Sequence, residues 1–253
     1  MSNQLVYFIS GANRGIGLAL VNEIANRDSA AVIYAGARDP ANASSLQKLA
    51  EEFPGRVTVV KYVAGDVEVN SSIAEQLKTR HGRVDVVIAN AAIQPSTAHA
   101  AITPIADVRD MFEVNAVGVL VLFQAFVPLL KVSPVAKFIP ITSSGGSLTY
   151  GIEEDLGLTG YGASKAALNY ITRRIHFENE WITCFPLAPG VVDTDMLANM
   201  CKRDPTGELE KLAKQISSAP SKTVKQLTTV IEDASRSSHG GEFINFDGTK
   251  LSW

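Results

Sequence analysis

Tyr161 and Lys165 stand four residues apart in the stretch YGASKAALNY, and together they suggest proton chemistry. A helix turns once per 3.6 residues, so the two side chains fall on one face, one turn apart. A lysine ammonium beside a phenol favours the phenolate and draws the phenol pKa down from about 10 toward neutrality. A phenol tuned in this way is a general acid and base. The same spacing is common in ordinary helices with an exposed lysine, so its meaning rests on the elements around it.

Those elements alternate. Short apolar runs rich in β-formers recur at Leu5 to Ser10, Ala31 to Gly36, Val57 to Val63, Val84 to Asn90, Ala136 to Thr142, Ile182 to Leu187 and Glu242 to Phe246. Several are apolar almost throughout, as strands buried on both faces are. Amphipathic segments at Gly15 to Arg27, Ser44 to Phe53, Asn70 to His81, Asp107 to Leu130 and Tyr161 to Glu178 lie between them. This alternation predicts an α/β fold, a Rossmann-type doubly wound parallel sheet of about seven strands with helices on both faces. No repeat, linker or low-complexity tract divides the chain, so residues 1–253 are expected to form one domain. The stretch from Thr194 to Pro220 lacks a strand pattern and reads as a helical insertion suited to cover a cleft.

The sequence SGANRGIGLAL joins the first strand to the first helix. Its glycines, Gly11, Gly15 and Gly17, fall where a tight turn, a close approach to phosphate and close helix–strand packing each exclude a side chain. The helix N-terminus beyond them offers free N–H groups and a positive dipole end to a pyrophosphate. The end of the second strand, YAGARDP, then bears on the nucleotide. An NAD site places a carboxylate there to hold the ribose hydroxyls. Here Arg38 comes first, able to pair with a phosphate in a forked geometry, and Arg14 adds a second positive charge from the glycine turn. Two arginines favour NADP(H). In the alternative, Arg38 is a solvated loop charge, Asp39 takes the ribose and the cofactor is NAD(H).

The bulk properties exclude several classes. With 253 residues, 46% hydrophobic and 19% charged, the chain can bury one sizeable core as an ordinary globular protein. A net charge of −3 without a basic block argues against a nucleic-acid partner. Cys184 and Cys201, and the scattered His81, His99, His176 and His239, show no metal-ligand or redox spacing. The N-terminus lacks a basic start, so it reads as a strand rather than a signal peptide. No apolar stretch approaches the roughly 20 residues that span a bilayer. A soluble cytoplasmic protein without membrane contact is expected.

Over essentially its whole length the sequence resembles the short-chain dehydrogenase/reductase family, in its compact single-domain branch. The landmarks fall in order: SGANRGIG, GDV with Asp66, ANAA with Asn90, VNAVG with Asn115, ITSSGG, YGASK and APGVVDTDM. The ending GGEFINFDGTKLSW and the ANRGIG turn look most like fungal ketoreductases of the norsolorinic acid ketoreductase type. The resemblance implies carbonyl reduction with NADP(H). Tyr161 is then the proton donor, Lys165 its tuner and a ribose ligand, and Asn115 the anchor of a proton-relay water. Ser143 holds the carbonyl oxygen, with Ser144 as the alternative.

The resemblance also implies that Asn13, Arg14 and Ile16 line the cofactor beside the three glycines. Asp66 and Val67 meet the adenine, and Asn90 forms part of the wall. Pro189 and Gly190 turn the chain, while Val192 and Thr194 meet the carboxamide; DTD reads equally as a helix N-cap. Ala89 and Ala92 depart from the family's usual Asn and Gly. The Ser143-to-Tyr161 connection is longer than usual, and Leu148, Tyr150 and Leu158 are expected to face a small-molecule ketone or alcohol. The acidic Glu153, Glu154 and Asp155 are expected at its outer rim. Relatives of this kind pair through the helices after Asn115 and around Tyr161, so a homodimer or homotetramer is expected. The rival reading is a non-catalytic NADP(H)-binding sensor or scaffold; the presence of all four of Ser143, Tyr161, Lys165 and Asn115 argues against it. A nucleotide-sugar epimerase is disfavoured because no extra substrate domain follows.

Overall fold

In a computed structural model of the protein, residues 4–204 and 206–253 are described. Six parallel strands make the main sheet: β1 (Val6–Ile9), β2 (Val32–Ala37), β3 (Val57–Lys61), β4 (Val86–Ala89), β5 (Lys137–Pro140) and β6 (Thr183–Cys184). Their order is β3-β2-β1-β4-β5-β6, so the strand order reverses between β1 and β4. Side chains alternate across each strand. Tyr7 and Ile9 face one core, packed with Leu20, Ile24 and Leu227, while Phe8 faces the other, with Phe126 and Phe138. Two buried faces explain why these strands are apolar throughout.

Helices α1 (Gly15–Arg27), α2 (Ser44–Glu52) and α9 (Pro220–Asp233) are separated along the chain from α3 (Val67–His81), α4 (Ile105–Phe112), α5 (Gly118–Leu130) and α6 (Thr159–Glu178). Helix α1 packs on α9 against one face, and α3 on α5 against the other. The expected insertion consists of α7 (Asp195–Arg203) and α8 (Glu208–Ile216). Its helical character follows from its Lys- and Glu-rich composition, with ion pairs such as Lys214–Glu210 one turn apart.

Two sequence expectations are corrected. The sixth run, Ile182 to Leu187, is two strands, not one. Pro186 has no N–H to give a ladder, and the chain breaks there. Beyond the break β7 (Leu187–Ala188) pairs with β8 (Ile244–Asn245) as a separate two-stranded parallel sheet. An isolated bridge from Leu187 to Ile141 keeps it alongside β5. Secondly, the helical run Ile105–Leu130, 26 residues, is long and apolar enough to cross a membrane by length and composition. Its apolar face, including Val119, Leu122, Phe126 and Leu129, is buried against the sheet, which accounts for its composition.

Candidate active site

The topological reversal leaves a crevice beyond the carboxyl ends of β1 and β4, where open α/β sheets bind ligands. A cleft of about 480 Å³ lies there. Its outer part is the glycine turn. Gly11 has φ +65°, and a Cβ on it would fall 2.8 Å from Ala91 Cα. A Cβ on Gly17 would fall 2.3 Å from the Gly11 carbonyl oxygen, so α1 rests directly on the turn. Asn90 ties the turn from the other side: its Nδ2 donates to the carbonyls of Ser10 and Gly11, both at 3.0 Å. The Ser10 hydroxyl accepts from the N–H groups of Asn90 and Ala91. Asn90 therefore shapes the turn that lines the cleft. Helix α1 has no side-chain cap and no acidic residue in its first turn, which leaves its leading N–H groups for an anion.

Asn13, Arg14, Gly15, Ile16 and Arg38 all border this end of the cleft. Arg38 is exposed at the end of β2 and enters no ion pair among the described residues. Asp39, the competing ribose ligand, accepts from Asn42 Nδ2 at 2.6 Å, and that bond holds its carboxyl below the usual carboxylate range. Arg14 lies 3.5 Å from Asp195 across the cleft mouth, both largely exposed. Such a pair is weak enough to yield to a competing anion.

At the inner end, α6 presents Tyr161 and Lys165, which both border the cleft. The Lys165 ammonium is 5.6 Å from the Tyr161 ring centre and donates to the Ile141 carbonyl at 2.8 Å. The Ser143 hydroxyl lies beside the Tyr161 phenol and favours its ionised form. Ser143 also accepts from Gly145 N–H at 3.1 Å, which fixes it at the head of a short 3-10 turn containing Ser144. Asn115 is buried in a π-helical turn, Glu113–Val117, set between α4 and α5. Its Oδ1 accepts from Ile93 N–H at 2.8 Å. Its Nδ2 donates to the Ile93 carbonyl and the Ser164 hydroxyl, each at 3.0 Å. The Asn115 side chain is thus occupied in clamping the cleft wall to α6.

The remaining expected residues are dispersed. Pro189 and Thr194 border the cleft. Gly190 turns at φ +72° against the Phe246 ring, and Val192 is buried beside a bridge to Ser218. Thr194 is the N-cap of α7, accepting from Leu197 N–H at 3.3 Å, and its methyl faces Gly15. The N-cap reading of DTD therefore holds for Thr194, which also borders the cleft. Asp66 caps α3 through Val69 N–H at 2.9 Å, and Val67 is exposed; neither is among the residues bordering the cleft. Leu148 and Tyr150 are exposed, and Leu158 is half-buried. Glu153, Glu154 and Asp155 are on the surface, where Asp155 meets His99 at 2.6 Å. Reading the sequence missed Ile93, Val114 and Met196 as cleft residues. Ile93 stands only three positions after Asn90, a spacing that pointed to the same wall.

A family model for the short chain dehydrogenase matches residues 5–205. The chain belongs to the short chain dehydrogenase family. It is an oxidoreductase of CH–OH and C=O groups. A short chain dehydrogenase of Penicillium aethiopicum is 32% identical, over 97% of this chain and 98% of the relative. A norsolorinic acid ketoreductase of Dothistroma septosporum is 31% identical, over 100% of this chain and 94% of its own. Among solved structures, an NADPH-bound carbonyl reductase from chicken fatty liver superposes with a TM-score of 0.84 at 28% identity, covering 98% of each chain.

The electrostatics of this dehydrogenase correct one expectation. Burial, not the lysine, dominates the Tyr161 phenol and pushes it up to about 12, opposed only by the Ser143 hydroxyl beside it. Burial likewise brings Lys165 down to about 7. Burial disfavours the ammonium, so near neutrality Lys165 carries its charge only part of the time and draws the phenol down less than expected. Tyr161 is consequently a protonated phenol throughout the neutral range.

Proposed function

We propose that the protein is an NADPH-dependent carbonyl reductase in which Tyr161 delivers the proton. The observation that carries this reading is Tyr161 beside Lys165 at the inner end of the cleft, with the Ser143 hydroxyl next to the phenol. The residues present suit the cofactor: Gly11 and Gly17 where a Cβ would strike backbone, an uncapped helix start, and Arg38 with no ion-pair partner among the described residues. Gly11, Gly15 and the α1 N–H groups would hold the pyrophosphate, and Arg38 with Arg14 the 2′-phosphate. When bound, NADPH supplies the hydride.

The chain's own residues supply the rest. Ser143 donates to the substrate carbonyl and orients it, stabilising the charge that grows on oxygen. Tyr161, held protonated by burial, donates its proton to that oxygen. The phenolate left behind is stabilised by Lys165 in its ammonium form, 5.6 Å from the ring. Asn115 keeps Ile93 and α6 in register around these groups. The names of the ketoreductase and carbonyl reductase relatives support the reaction class. Incubation with NADPH or NADH and a panel of ketones, followed by cofactor absorbance, tests the reading. Consumption of NADPH over NADH is expected, and no ketone-dependent consumption of either would refute it.

A further inference from the structure

Between β4 and α4 the chain runs through residues 90–98 without regular structure, yet its backbone is pinned. Asn90 and Ala91 N–H groups donate to Ser10, and Ile93 is held at both ends by Asn115. The Gln94 carbonyl accepts from Arg203 of α7 at 3.1 Å, and Ala98 N–H donates to the Gly157 carbonyl at 2.8 Å. Two side chains of this rigid segment are unpaired. Gln94 and Thr97 are each only 7% exposed. Gln94 Nε2, Gln94 Oε1 and Thr97 Oγ1 are three of the five buried side-chain N/O atoms that lack a partner among the described residues. Unpaired burial of such groups is costly, and Met and Val would fill similar space without the cost. Gln94 lies between Ile93, which borders the cleft with Tyr161, and α7, which contributes no buried residue of its own. Gln94 is thus one residue removed from the cleft lining, on the side covered by α7.

We infer that Gln94, supported by Thr97, is a specificity residue that hydrogen-bonds a hydroxyl group carried by the ketone substrate. The inference rests on the carbonyl-reductase reading. A carboxamide presents donors and an acceptor together. A second carbonyl would answer only Nε2, an ammonium only Oε1, and a carboxylate would leave Oε1 against a like charge. A hydroxyl both donates and accepts, and it suits the Thr97 hydroxyl equally. A site built to pair a substrate hydroxyl discriminates against analogues that lack it, because its own polar groups then stay unpaired.

The test compares Gln94→Met and Thr97→Val with the unaltered protein. The substrates, assayed with NADPH, are simple ketones and their analogues bearing one hydroxyl two to four carbons from the carbonyl. The unaltered protein should prefer one hydroxyketone of the series. Gln94→Met should lower that preference, as a ratio of kcat/KM, by about tenfold, the loss expected for one or two neutral hydrogen bonds. Thr97→Val should act in the same direction, more weakly. The melting temperature should hold or rise, since an unpaired buried amide is removed. An unchanged preference ratio in both variants, or a lowered melting temperature with equal losses on both ketones, would overturn the inference and make Gln94 a packing residue. No reduction of any ketone by the unaltered protein would instead overturn the carbonyl-reductase reading and this inference with it.

Discussion

Arg38 and Asp39 are neighbours in sequence, but their surroundings differ. Asp39 spends its carboxylate on Asn42, whereas Arg38 borders the cleft with no ion pair among the described residues. Replacing Arg38 with Asp should repel a 2′-phosphate and offer an acceptor to ribose hydroxyls. A charge-assisted bond contributes roughly 1.5–3 kcal/mol, so kcat/KM for NADPH should fall about tenfold or more while that for NADH rises. An unchanged ratio in steady-state assays would transfer the phosphate to Arg14. The two serines separate in the same way. Ser143 stands beside the Tyr161 phenol, so Ser143→Ala should lower kcat about 10²–10³-fold, the usual effect of losing one oxyanion donor. Ser144→Ala should be mild, and the reverse ranking would assign the role to Ser144.

Among the elements, the π-helical turn at Glu113–Val117 aims Asn115 at the cleft wall. Truncation to Ala would leave the Ile93 N–H and carbonyl without partners. Asn115→Ala should therefore lower unfolding free energy by about 2–4 kcal/mol, since an orphaned buried group costs about 1–3 kcal/mol. Denaturant titration checks this, and a loss below the error of the method would show that Asn115 is not the clamp. The turn itself was invisible in the sequence, because the periodicity of an apolar helix continues straight through it. The Asn was conspicuous all the same, as a polar residue before VGVLVLFQAFVPLL. Boundaries set by local chemistry were legible: Gly15 opens α1 and Arg27 closes it, as read. Pro186 was also in plain view, yet the apolar run across it concealed the break between β6 and β7.

For the whole molecule, the alternation of strands and helices was enough to read the parallel sheet and the glycine turn at its switch point. Burial was not readable, because it depends on segments far apart in sequence. Gln94 carries no signal in the sequence, and Tyr161 reads there as a phenol governed by its lysine, because the enclosing elements are distant along the chain. Enclosure also links Lys165 to stability. Its pKa is about 7 in the folded chain against an ordinary 10.5, so between those values the unfolded chain binds the extra proton. Stability from this group thus rises with pH through that window, and the penalty is full below it. Lys165→Met should gain melting temperature relative to the unaltered protein near pH 6, and that gain should shrink toward pH 10. A difference independent of pH would show that Lys165 is not held at a lowered pKa.

The most direct measurement of the central claim is the single-turnover rate of ketone reduction by Tyr161→Phe, with NADPH binding followed in parallel. The ring and its packing remain, while the proton donor and the Ser143 partner are removed. The expected result is a rate reduced about 10²–10⁴-fold, the range for losing a general acid, with NADPH bound nearly as tightly as before. Reduction at close to the original rate would contradict the assignment of Tyr161 as the proton donor.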